Sequence, residues 1–249
     1  MSYDIFQPRV LPIFFYYIFL IIFSAFMTYK MFSKWRERQV PPPLYLSIVF
    51  LFFTIALIAL AIGLAEAVIT GYYKEIYRFS LPFSYSMVVI ADIFIYKFAS
   101  HITEKGKSLQ LLIYILAVIL IIMLFLPWNW WGVPSSDYEG QLNIRLYTTL
   151  SLIIYSCSIY IYISYISRQA KEATNDKVAK FGLKLLSYSM IMMILFFVMM
   201  VLDTVMIVAF DHPGYSEFVY MAWFFAILFY IFSYLSLVMP DWIVKRIKE

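Results

Sequence analysis

Apolar residues run along this chain in seven long stretches separated by short polar connections, at approximately 10–32, 44–70, 81–100, 110–128, 146–167, 182–210 and 217–239. Each is close to or above the roughly 20 residues a helix needs to cross a hydrocarbon core. Inside lipid every backbone amide must be satisfied by the chain itself, which permits only helices or closed barrels. Unbroken runs of this length differ from the ~10-residue alternating segments of a barrel strand. The pattern therefore predicts an all-α polytopic membrane protein, with a single seven-transmembrane-helix domain over residues 1–249. Pro41, Pro42, Pro43, Pro82, Pro127 and Pro213 fall at or beside the expected span boundaries, where a missing amide donor is tolerated.

Composition strengthens this picture, being 64% hydrophobic and 14% charged against about 45–50% and about 25% in soluble domains. The excess apolar surface needs the lipid bilayer as its partner. All but four of the 19 basic residues lie on alternate connections or in the tail. They are Lys30, Lys34, Arg36 and Arg38; Lys97, Lys105 and Lys107; Arg168, Lys171, Lys177, Lys180 and Lys184; and Lys245, Arg246 and Lys248. Arg9, Lys74, Arg78 and Arg145 fall on the other side. Cationic connections stay cytoplasmic, so the N-terminus is expected outside and the C-terminus inside a cell membrane. The net charge of +4 is a by-product of this asymmetry and gives no reason to expect nucleic acid. The first stretch follows a nearly uncharged start and ends in a basic cluster, the reverse of a cleavable signal, so it is read as a retained helix. Cys157 is the sole cysteine and sits in the fifth span, so no intrachain disulfide is expected.

Polar groups inside spans are costly and usually face the bundle interior. Glu66 follows Ala59 and Gly63 on one helical stripe with Thr70, small neighbours that permit close packing. Asp203 falls in the outward third of the sixth span, on a face with Met192, Phe196 and Met199. Both acids are expected at similar depth, lining an outward polar pocket for a ligand or proton with Arg78 or Arg145 as counter-charge. A hydrogen-bonded packing contact is the other reading of each. Asp92, near the middle of the third span with Tyr85, Val88 and Tyr96, is a further candidate, with a structural role placed first. Lys97 is expected to snorkel to the inner boundary.

In the fifth span Tyr147, Ser151, Tyr155, Ser158, Tyr162 and Tyr165 draw one hydroxyl stripe. Such a stripe serves interhelical hydrogen bonding or lines a wet path. The fourth span has only Tyr114 as a polar member between Leu111 and Phe125 and is expected to face lipid. The methionines of the sixth span, at 190, 192, 193, 199, 200 and 206, offer an adaptable surface. Tyr72, Tyr73, Tyr77, Trp128, Trp130 and Trp131 are read as an aromatic belt at the outer boundary.

No catalytic constellation stands out, so an enzyme is not expected. Covalent retinal is not expected either, because no lysine occurs between Lys184 and Lys245 to form a Schiff base in the seventh helix. His101 and His212 lie in connections on opposite sides, which argues against a zinc or other metal site and against a Ser/His protease. No cofactor is expected.

The closing segment Met239-Pro240-Asp241-Trp242-Ile243-Val244-Lys245-Arg246-Ile247, and the Lys177-Val178-Ala179-Lys180-Phe181-Gly182 approach to the sixth span, resemble prokaryotic seven-helix sensory regions. They look like the membrane regions that precede histidine kinases, including freestanding archaeal versions. This chain departs from the fused pattern in reaching Glu249 without an output domain. The resemblance implies a non-enzymatic sensor or receptor-like protein that detects a small or lipophilic ligand or a membrane state and signals through a separate cytoplasmic protein. The alternatives are a small transporter or proton-coupled permease using Glu66, Asp203 and the hydroxyl stripe, or an accessory subunit of a membrane complex.

Overall fold

The computed structural model describes Tyr3 and residues 5–103, 106–126, 144–210, 212 and 214–248. Eight α-helices follow one another among them: α1 (Leu11–Arg38), α2 (Pro41–Thr70), α3 (Glu75–Thr103), α4 (Gln110–Leu124), α5 (Ile144–Ala173), α6 (Lys177–Phe210), α7 (Glu217–Leu237) and α8 (Asp241–Lys248). The first seven are long and apolar enough to cross a membrane. No strand occurs among the described residues beyond an isolated bridge between Ile5 and Tyr72, so the protein is all-α.

Several helices outrun the apolar stretches that announce them, because backbone hydrogen bonding continues where hydropathy stops. α6 starts five residues early, at Lys177. There the Asp176 carboxylate accepts from Val178 N–H at 3.1 Å and Ala179 N–H at 3.3 Å and so caps the first turn. α3 likewise begins at Glu75, and its first two turns carry Arg78 and Ser80. Pro82 is consequently not at a span boundary as expected but inside α3. Its ring removes one intrahelical donor, and Ser86 Oγ donates to the Pro82 carbonyl at 2.8 Å. Pro127 and Pro213 lie outside the described residues.

The chain divides into two compact units, Met1–Ser156 and Cys157–Glu249. In the first unit α1 is knitted to α2 by hydroxyls: Ser24 Oγ donates to Phe50 O at 3.0 Å, and Thr54 Oγ1 donates to Ser24 Oγ at 2.9 Å. α2 and α3 pack more closely still, at Gly63, where an added Cβ would stand 3.0 Å from Tyr77 Cα. Ser84 Oγ donates across the same pair to Ala56 O at 2.9 Å. α2 stops at Gly71, whose φ of 74° suits a residue without Cβ and whose N–H closes on Ala67 O at 3.0 Å. α4 packs on α3 and is the least covered span, with only Ala117, Leu120 and Leu124 buried along it. The lipid-facing assignment of this helix fits that exposure.

In the second unit α6 and α7 pair along their length. Phe196 meets Trp223 edge to face at 5.3 Å, and Ser236 Oγ donates to Gly182 O at 2.8 Å near the basic end. The methionine surface of α6 is partly open: Met190 and Met193 are buried, while Met192, Met199, Met200 and Met206 are half-exposed. The tail, which the sequence marks only by its basic residues Lys245, Arg246 and Lys248, forms the helix α8, which packs on α6 and buries Ile243.

Candidate functional site

The turn between α2 and α3 gathers two of the expected residues. Glu66 is half-buried, and its Oε2 accepts from Tyr77 N–H at 2.9 Å. Tyr77 stands in the first turn of α3, where N–H groups have no intrahelical acceptor and the helix dipole favours a carboxylate. Arg78, on the next position, is 3% exposed. Its Nη1 pairs with Glu75 Oε1 at 3.0 Å, and its guanidinium carbon lies 4.8 Å from the Tyr3 ring centre. Tyr3 belongs to a segment that crosses this turn: Phe6 N–H donates to Gly71 O at 2.9 Å, and Tyr3 OH donates to Glu75 Oε1 at 3.3 Å. Tyr73 and Tyr77 are buried beneath it, with rings 4.5 Å apart. These two rings therefore do not join an exposed aromatic belt; Tyr72 is exposed, and Trp128, Trp130 and Trp131 lie outside the described residues. The side chain of Arg145 lies outside them too.

Asp203 performs the equivalent task at the turn between α6 and α7. It is 7% exposed, and its Oδ1 accepts both the N–H of Ser216, at 2.8 Å, and the hydroxyl of Ser216, at 2.7 Å. Ser216 immediately precedes α7, and its hydroxyl turns to Asp203 instead of capping its own helix. Two acids, each late in one helix, thus hold the start of the next. Asp203→Ala is expected to cost about 1–2 kcal/mol, the size of a lost helix cap, and to speed amide exchange over 216–220 while leaving α2 and α3 unchanged. Asp203→Asn keeps an acceptor oxygen and should retain most of that protection; equal exchange in wild type and Asp203→Ala would contradict the capping role.

The third acid is the most enclosed. Asp92 is 0% exposed, and its Oδ2 accepts from Ser156 Oγ of α5 at 2.6 Å, a length typical of strong hydroxyl–carboxyl hydrogen bonds. The sequence singled out a different face of α5. Of its stripe, Tyr155 is buried and its OH donates to Ile113 O at 3.5 Å. Ser151 and Tyr162 are half-buried, whereas Tyr147, Ser158 and Tyr165 are exposed. The stripe marks only the border of the buried face, which is centred about a quarter-turn further round on Leu152, Ser156, Ile159, Ile163 and Ser167. The hydroxyls of Thr148, Ser156, Ser164 and Ser167 are the ones that face inward. Tyrosines drew attention to the wrong border because their size makes a more visible pattern than small serines do.

Toward the basic end, Ser164 Oγ and Ser187 Oγ are 2.8 Å apart, and Arg168 Nε donates to Ser187 Oγ at 3.1 Å. Sequence reasoning had placed Arg168 only among the charges of a connection. In the first unit Lys97 is half-buried, and its ammonium is ringed by Phe94 at 5.7 Å, Tyr114 at 5.8 Å and Tyr45 at 6.0 Å. The rings come from α3, α4 and α2, so cation–π attraction holds this charge in addition to any reach toward the boundary.

Among the described residues no three His, Cys, Asp or Glu side chains gather as a metal-binding group. Comparison with protein-family models, with curated proteins and with solved structures found no match. The class rests on the chain itself, which is an all-α, multi-pass membrane protein with seven helices able to span.

Proposed function

We propose that this chain is a non-enzymatic, seven-helix sensor or receptor-like protein of the cell membrane, oriented with its N-terminus outside and its C-terminus inside. It responds to a small or lipophilic ligand or to the state of the membrane, and it signals through a cytoplasmic protein that meets the basic connections. The observation that carries this reading is α5. That helix runs unbroken from Ile144 to Ala173, engages the buried Asp92 through Ser156, and two turns later engages Ser187 through Ser164 and Arg168. An acid buried inside a span and held by a hydroxyl of α5 is the kind of intramembrane group that marks a functional site. The resemblance to the sensory regions that precede histidine kinases supports the same reading.

Affinity purification from native membranes in mild detergent, with mass spectrometry of proteins and small molecules, tests it. A recurrent cytoplasmic signalling protein, whose recovery changes in Asp92→Asn, is expected. A bound metabolite with no partner would move the assignment to transport. A proton-coupled permease is the second reading, favoured by the full burial of the Asp92 carboxyl in a span. Liposome flux abolished by Asp92→Asn, Glu66→Gln or Asp203→Asn would establish that version instead.

A further inference from the structure

The end of α7 carries a feature that the sensor reading does not use. Pro240 has no N–H and disfavours helical backbone in the residue before it. α7 stops at Leu237, and Met239 sits at φ 44°, a left-handed residue of the kind that closes helix C-termini. The chain then restarts at Asp241 as α8, an acid at the helix start where the dipole favours it. α8 packs on α6 with Ile243 7% exposed, and the end of α7 is tied to the same helix, where Ser236 Oγ donates to Gly182 O at 2.8 Å and Met239 Cε, just past α7, would stand 3.0 Å from a Cβ at Gly182. Ile247, one turn on from Ile243, is half-buried on the same side.

The other side of α8 presents Trp242, 64% exposed, with Lys245 and Arg246 also exposed. Spacings of three and four place these three on one stripe, an indole flanked by two cations. Exposed Lys177 and Lys184 at the start of α6, in the same unit, add charge of the same sign.

We propose that this stripe of α8 is a docking surface for the phosphate layer of anionic membrane lipids. Two arguments choose the occupant. α8 begins within four residues of the last residue of a spanning helix, at Leu237 and Asp241, which puts it at headgroup depth. At that depth an indole ring is at its preferred position, and lysine and arginine are drawn to anionic headgroups. An acidic protein would satisfy the cations but would leave the exposed indole at the lipid boundary unaccounted for. The surface is independent of the sensor reading.

Hydrogen exchange of the full chain in nanodiscs tests the assignment, comparing phosphatidylcholine alone with phosphatidylcholine containing phosphatidylglycerol. Amides of α8 are expected to exchange about thirtyfold more slowly on the anionic discs, the scale set by two cations near a charged surface. High salt should shrink the difference, and Lys245→Gln/Arg246→Gln should abolish it with α6 and α7 exchange unchanged. Equal α8 exchange on both discs would overturn the proposal. So would a difference that survives in the double variant, or slowing that arises only when cytosolic protein is added, which would assign the surface to a protein partner.

Discussion

Gly63→Ala is expected to destabilise the protein by about 2–3 kcal/mol, although it adds a single methyl group. The new Cβ would collide with Ser80 Oγ and stand 2.8 Å from Ser80 Cβ and 3.0 Å from Tyr77 Cα. Ser80 cannot yield without loss, because its hydroxyl donates to Tyr77 O at 2.8 Å. Tyr77 Cα is backbone, so relief requires α3 to move away from α2. That movement also stretches the bond from Tyr77 N–H to Glu66, since Glu66 lies one turn beyond Gly63 on the same stripe. Alanine's better helix propensity acts the other way by about 1 kcal/mol and is outweighed by overpacking together with the lost cap. Thermal unfolding in mild detergent reads the change. Ser80→Gly in the Gly63→Ala background should recover part of the loss, a non-additivity confined to contacting sites. A Gly63→Ala protein as stable as wild type would show that the helices separate there at no cost.

The helices were legible because lipid leaves the backbone few options: α2 and α7 lie within three residues of their apolar runs at both ends. What hydropathy misplaced were ends that polar residues build. The start of α6 is set by Asp176 and the start of α3 by the acids around its first turn, and neither raises a hydropathy signal. α8 escaped for a related reason. Its Ile243 and Ile247 spacing and its Pro240-Asp241 start are ordinary helix signals, but eight residues with three basic ones resemble a solvated tail until a neighbouring helix is there to cover Ile243.

The site was half legible. Gly63 and Glu66 on one stripe pointed to a close helix approach with an acid beside it, and the structure has both. The partners were not legible, because Tyr77 N–H and Ser216 N–H are backbone groups that every residue but proline possesses, and only the fold decides which are left over at a helix start. Glu66 and Arg78 meet at one turn, in the first unit, while Asp203 acts within the second. On α5 a shift of one residue separates Tyr155 from Ser156, and one residue is about 100° of helix. Periodicity recognised a polar border correctly but had no means of telling which side of it faces protein.

Ser156→Ala is expected to cost about 1–2 kcal/mol, the upper end of what interhelical hydrogen bonds contribute in membranes. Asp92 is 0% exposed and the bond from Ser156 Oγ is 2.6 Å, so the substitution leaves a buried carboxyl short of a donor, which costs more than the bond's net worth. Asp92→Leu in the same background removes the group that was left wanting, and apolar replacement of both partners of a buried polar pair is often close to neutral. Asp92 makes further polar interactions, so the double variant falls short of neutrality. Its loss should nonetheless be smaller than the sum of the single losses by about 1 kcal/mol. Unfolding of the four proteins of this cycle decides the matter, and strict additivity would mean that the contact carries no coupling. Asp92→Asn separates stability from signalling, because it keeps an acceptor of the same size for Ser156. If that variant unfolds like wild type but recovers the cytoplasmic partner differently, Asp92 contributes to the response itself; if both are unchanged, its work is confined to holding α5 against α3.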